Sequence, residues 1–420
     1  MNALVGGVGD PLAHRAHRRA PGARGHIRPL ADQWRHGGAP ARQTSCIDST
    51  RLIRTAGRAF VLAALGISLL ATPAAQAATR SSLQRGYLAV ALDGVRRAQS
   101  WQDSSLGWYR ARLPQSDRHV VTLWGSVHLF EALAAVEIAS PSLGHVTALR
   151  DFARGAERYW NPERQGFGPL PGQRGLRRAY YDDNGWWGLA FLDAYRATHD
   201  RRWLWDARRA YGFAYSGWDP LDGGIWWNTD HTFKAGESLA TATLLAVQLY
   251  GFTGAPYYLR DAQQLAEWGR SHTWNDQDGL YGRHETDRTS MPYVQAPMAA
   301  ADVALCHLLR DGSLCARGEM IADAAARRFP ELVMGPQYDA MYLRWLLYLY
   351  ALDRDPRWFS IVVNEAAQAQ AHAGDGRGRW LRAWDGTSLV HHGADPSMLQ
   401  PHAATTMVFA WLAATPPPPA

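Results

Sequence analysis

Lysine is almost missing from this chain: Lys234 is alone among 44 basic side chains, and the rest are arginine. Cysteine is scarce, three residues in 420, with no Cys-x-x-Cys or His-x-x-x-His pair, which excludes a structural zinc module. "WNDQDG" at Trp274–Gly279 has neither the regular acid spacing nor the terminal Glu of a calcium loop, so no metal site and no cofactor is expected. No apolar run is long enough for a membrane helix; the nearest is Ala59–Leu70. Strand-like alternation of apolar and polar residues is nearly absent too, which argues against a large sheet.

What is present divides unevenly along the chain. Residues 1–50 are rich in Arg, His, Gly and Pro without hydrophobic period, and read as a leader that is either disordered or not native to the protein. Arg51–Ala78 reads as a secretory signal peptide: Arg51, Arg54 and Arg58, then the apolar core, then "AQA" at Ala75–Ala77. The expectation is a secreted or periplasmic protein whose true start is downstream of residue 1. Through Ala78, ten arginines face Asp10, Asp32 and Asp48, a net of +7; the whole chain carries +6, so the remainder is about −1. No basic stripe therefore invites nucleic acid. Residues 79–415 are long enough to bury one large core, with 416–420 a Pro-rich tail, and nothing demands more than a monomer. Cys306 and Cys315, close in sequence, fit either a disulfide or two free thiols.

Helical periods recur twelve times, beginning near Leu83, Val120, Leu143, Asp183, Trp203, Phe233, Pro256, Pro292, Ser313, Gln337, Asp355 and Met398. The links after the even-numbered helices are very short ("SPS", "HD", "TGA", "DG", "RD"), whereas those after the odd-numbered ones are mostly long. Short links make antiparallel neighbours, and strict alternation gathers the long loops at one end. Six hairpins closed into a ring, an all-α (α/α)6 toroid, satisfy this pattern, with the even helices inside and their N-termini at the mouth of a central cavity. An open α-solenoid is the alternative, without a visible repeat motif to support it.

The long loops carry the chemistry-bearing residues. "AYYDDNGWWGLAFLDAY", Ala179–Tyr195, brings Asp182, Asp183, Asn184, Trp186 and Trp187 to a helix entry. The next loop, Gly217–Ser238, holds Trp226, Trp227, Lys234 and Glu237; the one after leads to Tyr293 and Gln295, and Trp124 opens the second helix. Tryptophan faces beside acids and amides suit a pyranose, with its C–H faces and hydroxyl edges. In each Trp pair one ring can pack inward while its neighbour faces the cavity. One Asp suffices as a helix cap. Two can divide the labour of glycoside hydrolysis, one as acid and one as nucleophile or base. Their mutual repulsion favours holding a proton on one of them, and a helix entry with one Asp still in loop geometry would let the carboxyls diverge.

"YYDDNGWWGLAFLDAY" followed by "DGGIWWNTDHTFKAGESLATATL" resembles glycoside hydrolase family 76, with weaker echoes in "YVQAPMAAA" and "YDAMYLRWLLYL". The resemblance implies a six-hairpin toroid and an α-1,6-mannanase activity, endo-acting on a mannan-type polysaccharide or oligosaccharide. It implies Asp182 as nucleophile and Asp183 as general acid/base of a retaining double displacement, and substrate contacts from Trp124, Asn184, Trp186, Trp187, Trp226, Trp227, Lys234, Tyr293 and Gln295. The family's Lys-Asn and later Ser-Asn are here Lys234-Ala235 and Glu237-Ser238, and its Tyr-Asn-Gln-Gly is Tyr293-Val294-Gln295-Ala296. Two substrate-contacting amides are thus replaced, with Glu237 a substitute contact. A carbohydrate-binding or cell-wall-associated protein without turnover is the competing reading.

Overall fold

The computed structural model describes residues 81–419, apart from 114–118, 174, 176 and 393. The leader and the signal peptide lie outside the described residues. Among the described residues, twelve α-helices follow one another: α1 Ser82–Ala98, α2 Leu123–Ala139, α3 Leu143–Ala156, α4 Tyr181–Thr198, α5 Arg201–Ser216, α6 Gly236–Thr253, α7 Pro256–His272, α8 Pro292–Leu309, α9 Gly312–Arg328, α10 Pro336–Asp353, α11 Pro356–His372 and α12 Leu399–Ala414. Every one begins within three residues of its sequence-predicted start.

The even-numbered helices form the inner layer. Each packs on the next, and α12 returns to α2, so the ring closes and the open solenoid is set aside. Their sequences are apolar on all sides, and nearly every residue of α2, α6, α8 and α12 is buried. That is what a helix with neighbours all around requires. Outer helices bury a stripe only: in α5 it is Trp203, Asp206, Ala207, Ala210, Tyr211, Phe213 and Ala214.

Local chemistry produces the alternation of links. Helices α4, α6, α8 and α10 stop at left-handed residues, His199, Gly254, Arg310 and Arg354. Next comes either an Asp that caps the following helix (Asp200, Asp311, Asp355) or a Pro at its first position (Pro256). The long loops enter the inner helices from the opposite end and contain short antiparallel pieces that the sequence reading did not anticipate: β1 Gln102–Asp103 with β2 Trp108–Tyr109, β3 Trp160–Asn161 with β4 Gly166–Phe167, and a three-stranded unit of β5 Trp274–Asn275, β6 Leu280–His284 and β7 Asp287–Ser290.

A buried charge network ties the inner ring together well below the helix starts. Arg344 of α10 donates to Asp193 of α4 at 2.7 Å and to Glu131 of α2 at 3.4 Å, while its guanidinium lies 3.4 Å from the Trp411 ring centroid of α12. Trp411 donates to Glu131 at 3.1 Å, and Arg196 bridges Asp193 to Gln248 of α6. These positions are nine to sixteen residues into their helices, roughly 12–23 Å from the helix starts at 1.5 Å per residue. On α9, Cys315 is disulfide-bonded to Cys306 of α8, Cα atoms 5.3 Å apart, which decides between the two thiol readings.

Candidate active site

All inner helices present their first turns at the long-loop end. Along helices whose residues are otherwise shielded, the few that keep accessible surface there mark the cavity. Trp124, Asp182 and Tyr338 are half-buried, while Asp183, Glu237, Tyr293 and Gln400 retain 5–8 % of their surface. Trp124, Asp182, Glu237, Tyr293 and Gln400 are each the second residue of their helix, and Tyr338 is the third.

Four of these helices supply an aromatic belt. Trp186 of α4 lies 6.0 Å from Trp124 of α2, Trp124 lies 6.2 Å from Tyr338 of α10, and Tyr338 lies 5.2 Å from Tyr293 of α8, all centroid to centroid. Gln400 of α12 donates to the Trp124 carbonyl at 3.4 Å. The acids close the circle, Asp182 and Asp183 from α4 and Glu237 from α6.

Helix α4 opens at Tyr181, so both aspartates are inside its first turn. This corrects the expectation that one of them remains in loop geometry. The preceding backbone is pinned by the neighbouring loop: Tyr181 N–H donates to the Trp227 carbonyl at 3.0 Å, and Ala179 accepts from Thr229. Two residues after the pair, Gly185 faces Thr241 of α6 so closely that a Cβ would overlap the threonine side chain. The glycine in "DDNG" therefore lets α4 and α6 approach and brings Glu237 toward the aspartates.

The electrostatics are those of a crowded acidic pocket. Asp182 is held well above the usual carboxylate range, first by burial and then by the Asp183 charge; hydrogen bonds from backbone amides and Trp227 pull it partly back. Its Oδ2 accepts from Trp227 Nε1 at 3.4 Å, and its Oδ1 is buried without a partner. Burial pushes Asp183 up to about 7. Glu237 is pushed up to about 8 by burial and then by the Asp182 charge, and its Oε2 is also buried without a partner. Arg283, on β6, is the cation that opposes these shifts at Glu237, Tyr293 and Tyr338. Such a cluster can hold a proton and a negative charge side by side near neutral pH, the condition for concerted acid and nucleophile chemistry.

Other expected contacts have different positions and are reassigned. Asn184 is fully buried: its amide donates to the Phe167 and Tyr180 carbonyls and accepts from Phe167 N–H, pinning β4 to α4. Gln295 does the same for β6, accepting from Tyr281 N–H and donating to the Tyr281 and Met291 carbonyls. Neither amide has surface left for a sugar. Trp187 is a core residue that donates to the Leu123 carbonyl and stacks on Phe130 and Phe167. Trp186, 1 % exposed, backs the belt behind Trp124. Lys234 is buried between the Trp226 and Trp268 rings and ion-paired with Asp219 and Asp222, so it locks its loop rather than reaching the cavity. Trp226 covers that lysine and stacks on His231, whereas Trp227 faces Asp182 with Phe233 and Tyr180 against its ring.

Tyr338, Gln400 and Arg283 escaped the sequence reading. The first two were detectable from their place in the first turn of an inner helix; Arg283 had no such signal, because β6 was not foreseen. Among the described residues, no group of three or more His, Cys, Asp or Glu is placed to hold a metal ion, and no helix is long and apolar enough to cross a membrane.

A family model, glycosyl hydrolase family 76, matches residues 108–329. Among solved structures, a GH76 α-mannanase from Bacteroides thetaiotaomicron superposes with a TM-score of 0.69 at 18 % identity, covering 82 % of this chain and 98 % of its own. An α-1,6-mannanase from Salegentibacter sp. HEL1_6, in an inactive variant with two consecutive aspartates replaced by asparagine and in complex with α-1,6-mannotriose, gives 0.64 at 16 % identity, covering 78 % of this chain and 99 % of its own. A cellobiose 2-epimerase from Spirochaeta thermophila gives 0.58 at 14 % identity, covering 80 % and 98 %. At these identities the structures share the fold, which on its own leaves the chemistry open. No curated protein sequence matches.

Proposed function

Since the chain belongs to glycosyl hydrolase family 76, we propose that this glycoside hydrolase cleaves α-1,6-mannosidic linkages with retention, from within the chain of a mannan-type glycan, after export from the cell. The observation that carries the reading is the pair of consecutive carboxyls in the first turn of α4, one reachable from the cavity and the other buried with its proton held to about 7.

Asp182, on the accessible side, attacks the anomeric carbon. Asp183 gives its proton to the leaving glycosidic oxygen. In the second half, Asp183 takes a proton from water, which displaces the Asp182 carboxylate from the glycosyl ester. The pair holds one proton between them, and its titration belongs to both residues. Trp227 Nε1 and the first-turn amides favour the negative charge on Asp182. The belt of Trp124, Tyr338 and Tyr293 supplies faces for successive sugar rings. Long loops around the mouth support an extended groove and hence internal cleavage. The bound mannotriose of the Salegentibacter relative supports the substrate class. The signal-peptide pattern of residues 51–78 supports export.

The test is hydrolysis of linear α-1,6-mannooligosaccharides followed by NMR of the first anomer released. The α-anomer first, lost in Asp182→Asn and Asp183→Asn, is the expected outcome. The β-anomer first would require inversion and reassign both roles. Binding without turnover, surviving both substitutions, would leave a carbohydrate-binding protein.

A further inference from the structure

The double displacement uses two carboxyls, yet the cavity contains a third. Glu237 is the second residue of α6, as Asp182 is of α4, on the adjacent inner helix. It is 95 % buried by its 5 % residual exposure, and its Oε2 meets no hydrogen-bond partner. Asp182 Oδ1, buried in the same cluster, lacks a partner as well. The titratable and charged groups electrostatically linked to Glu237 are Asp182 on α4, Tyr293 on α8, Tyr338 on α10 and Arg283 on β6, with the Asp182 charge raising its proton affinity.

Two buried, unpartnered carboxylate oxygens on neighbouring groups would be costly if both groups were ionised. One proton removes the conflict, because a protonated carboxyl is both donor and acceptor, with the shape and hydrogen-bonding sense of a primary amide. Asp183 already carries the proton needed by the leaving group. A second proton on Glu237 leaves one negative charge in the cluster, balanced by Arg283, and Asp182 is where Trp227 and the backbone amides stabilise it.

We propose that Glu237 is a positioning residue of this reaction, its carboxyl O–H directed at the unpartnered Oδ1 of Asp182 so that the negative charge of the cluster rests on the attacking group. The inference rests on the retaining reading for its catalytic consequence, but not for its protonation. Glu237 turns Asp182 toward the anomeric carbon and keeps it anionic; it does not itself touch the reacting atoms. Ionisation of Glu237 ends this support and places a second negative charge beside the first.

Two measurements on the full chain test it. In carboxyl 13C NMR of protein labelled at Glu, with the signal assigned by its loss in Glu237→Gln, Glu237 should titrate near 8. In Asp182→Asn its midpoint should move down, since the neighbouring charge is gone. A midpoint in the ordinary carboxylate range, unmoved by that substitution, overturns the proposal whether or not mannan is the substrate. In kinetics on α-1,6-mannotetraose, Glu237→Ala should lower kcat roughly 10- to 100-fold with little change in KM, the range for losing a hydrogen bond to a charged group. Its acid limb should move to higher pH. Glu237→Gln, which retains an N–H donor, should recover kcat to within about fivefold of the wild type on the same reasoning. Equal losses in the two variants would mean that Glu237 acts as an anion. A raised KM at constant kcat would make it a substrate contact, and either result removes the positioning role. If the wild type does not turn over the oligosaccharide, the mannanase reading fails and the NMR titration alone decides the protonation.

Discussion

Asp183→Asn should make the protein more stable at neutral pH while removing its activity. Asp183 ionises near 3.8 as a free side chain and at about 7 in the fold, raised by burial. Between those values the folded chain holds a proton that the unfolded chain has released, so stability falls as pH rises. The cost is absent below the lower value and complete above the upper one. A shift of about three pH units corresponds to roughly 4 kcal/mol at 1.36 kcal/mol per unit. An asparagine does not titrate, so the stability difference between variant and wild type should grow by about 4 kcal/mol from pH 4 to pH 7 and then level off. With an unfolding entropy near 2 cal/mol/K per residue, that is a relative gain in Tm of about 5 °C for a domain of some 340 residues. Urea unfolding of both proteins at pH 4, 5, 6, 7 and 8 reads it directly. A difference that does not change over that range would show that Asp183 keeps its ordinary proton affinity in the fold, and the assignment of Asp183 as proton donor would lose its electrostatic basis. A variant that becomes relatively less stable as pH rises would reverse the sign of the argument.

Other elements yield predictions of the same kind. Trp227→Phe keeps the stacking on Phe233 but removes the N–H that reaches Asp182; kcat should fall about tenfold and the acid limb of the pH–rate profile move upward, and an unchanged limb would mean that this bond does not tune Asp182. Arg344→Met leaves Glu131 and Asp193 buried without their shared cation, so stability in urea should drop by about 3–5 kcal/mol, with part regained when both acids are replaced by their amides. Cys315→Ser opens the Cys306–Cys315 crosslink and should cost about 2–3 kcal/mol on a chain-entropy account; detection of both thiols by a thiol reagent in the folded wild type would contradict the bond. Lys234→Arg places a planar fork between two indoles in a slot shaped for an ammonium. The loop carrying Trp227 should then loosen, seen as a higher KM and earlier proteolysis of residues 217–235, whereas native-like values for both would show that any cation serves.

The architecture could be read from the chain because it is written in periodic, local features. Left-handed stops at His199, Gly254, Arg310 and Arg354, followed at once by caps or Pro, shorten alternate links, and that rhythm alone orders the inner and outer layers. The acid pair was legible for a similar reason, as two charges where a cap needs only one. The polar residues around it were not, since Asn184, Gln295 and Lys234 have the composition of ligand contacts. What separates a ligand contact from a structural anchor is which carbonyl or carboxylate comes within about 3 Å, and that depends on how the loop entering each inner helix folds back on it: Phe167 for Asn184, Tyr281 for Gln295, Asp219 for Lys234. The Arg344 network was invisible for a different reason, its partners being 151 and 213 residues away. Yet the closed ring supplies a rule that a single helix does not. Once six inner helices are known to start at one face, the second or third residue of each falls at the same cavity, and Tyr338 and Gln400 join Trp124, Asp182, Glu237 and Tyr293. Topology thus converts a weak signal at one helix into a strong one across six, and it is this convergence, more than any one motif, that places Glu237 at the same end of the ring as Asp182, on the adjacent inner helix.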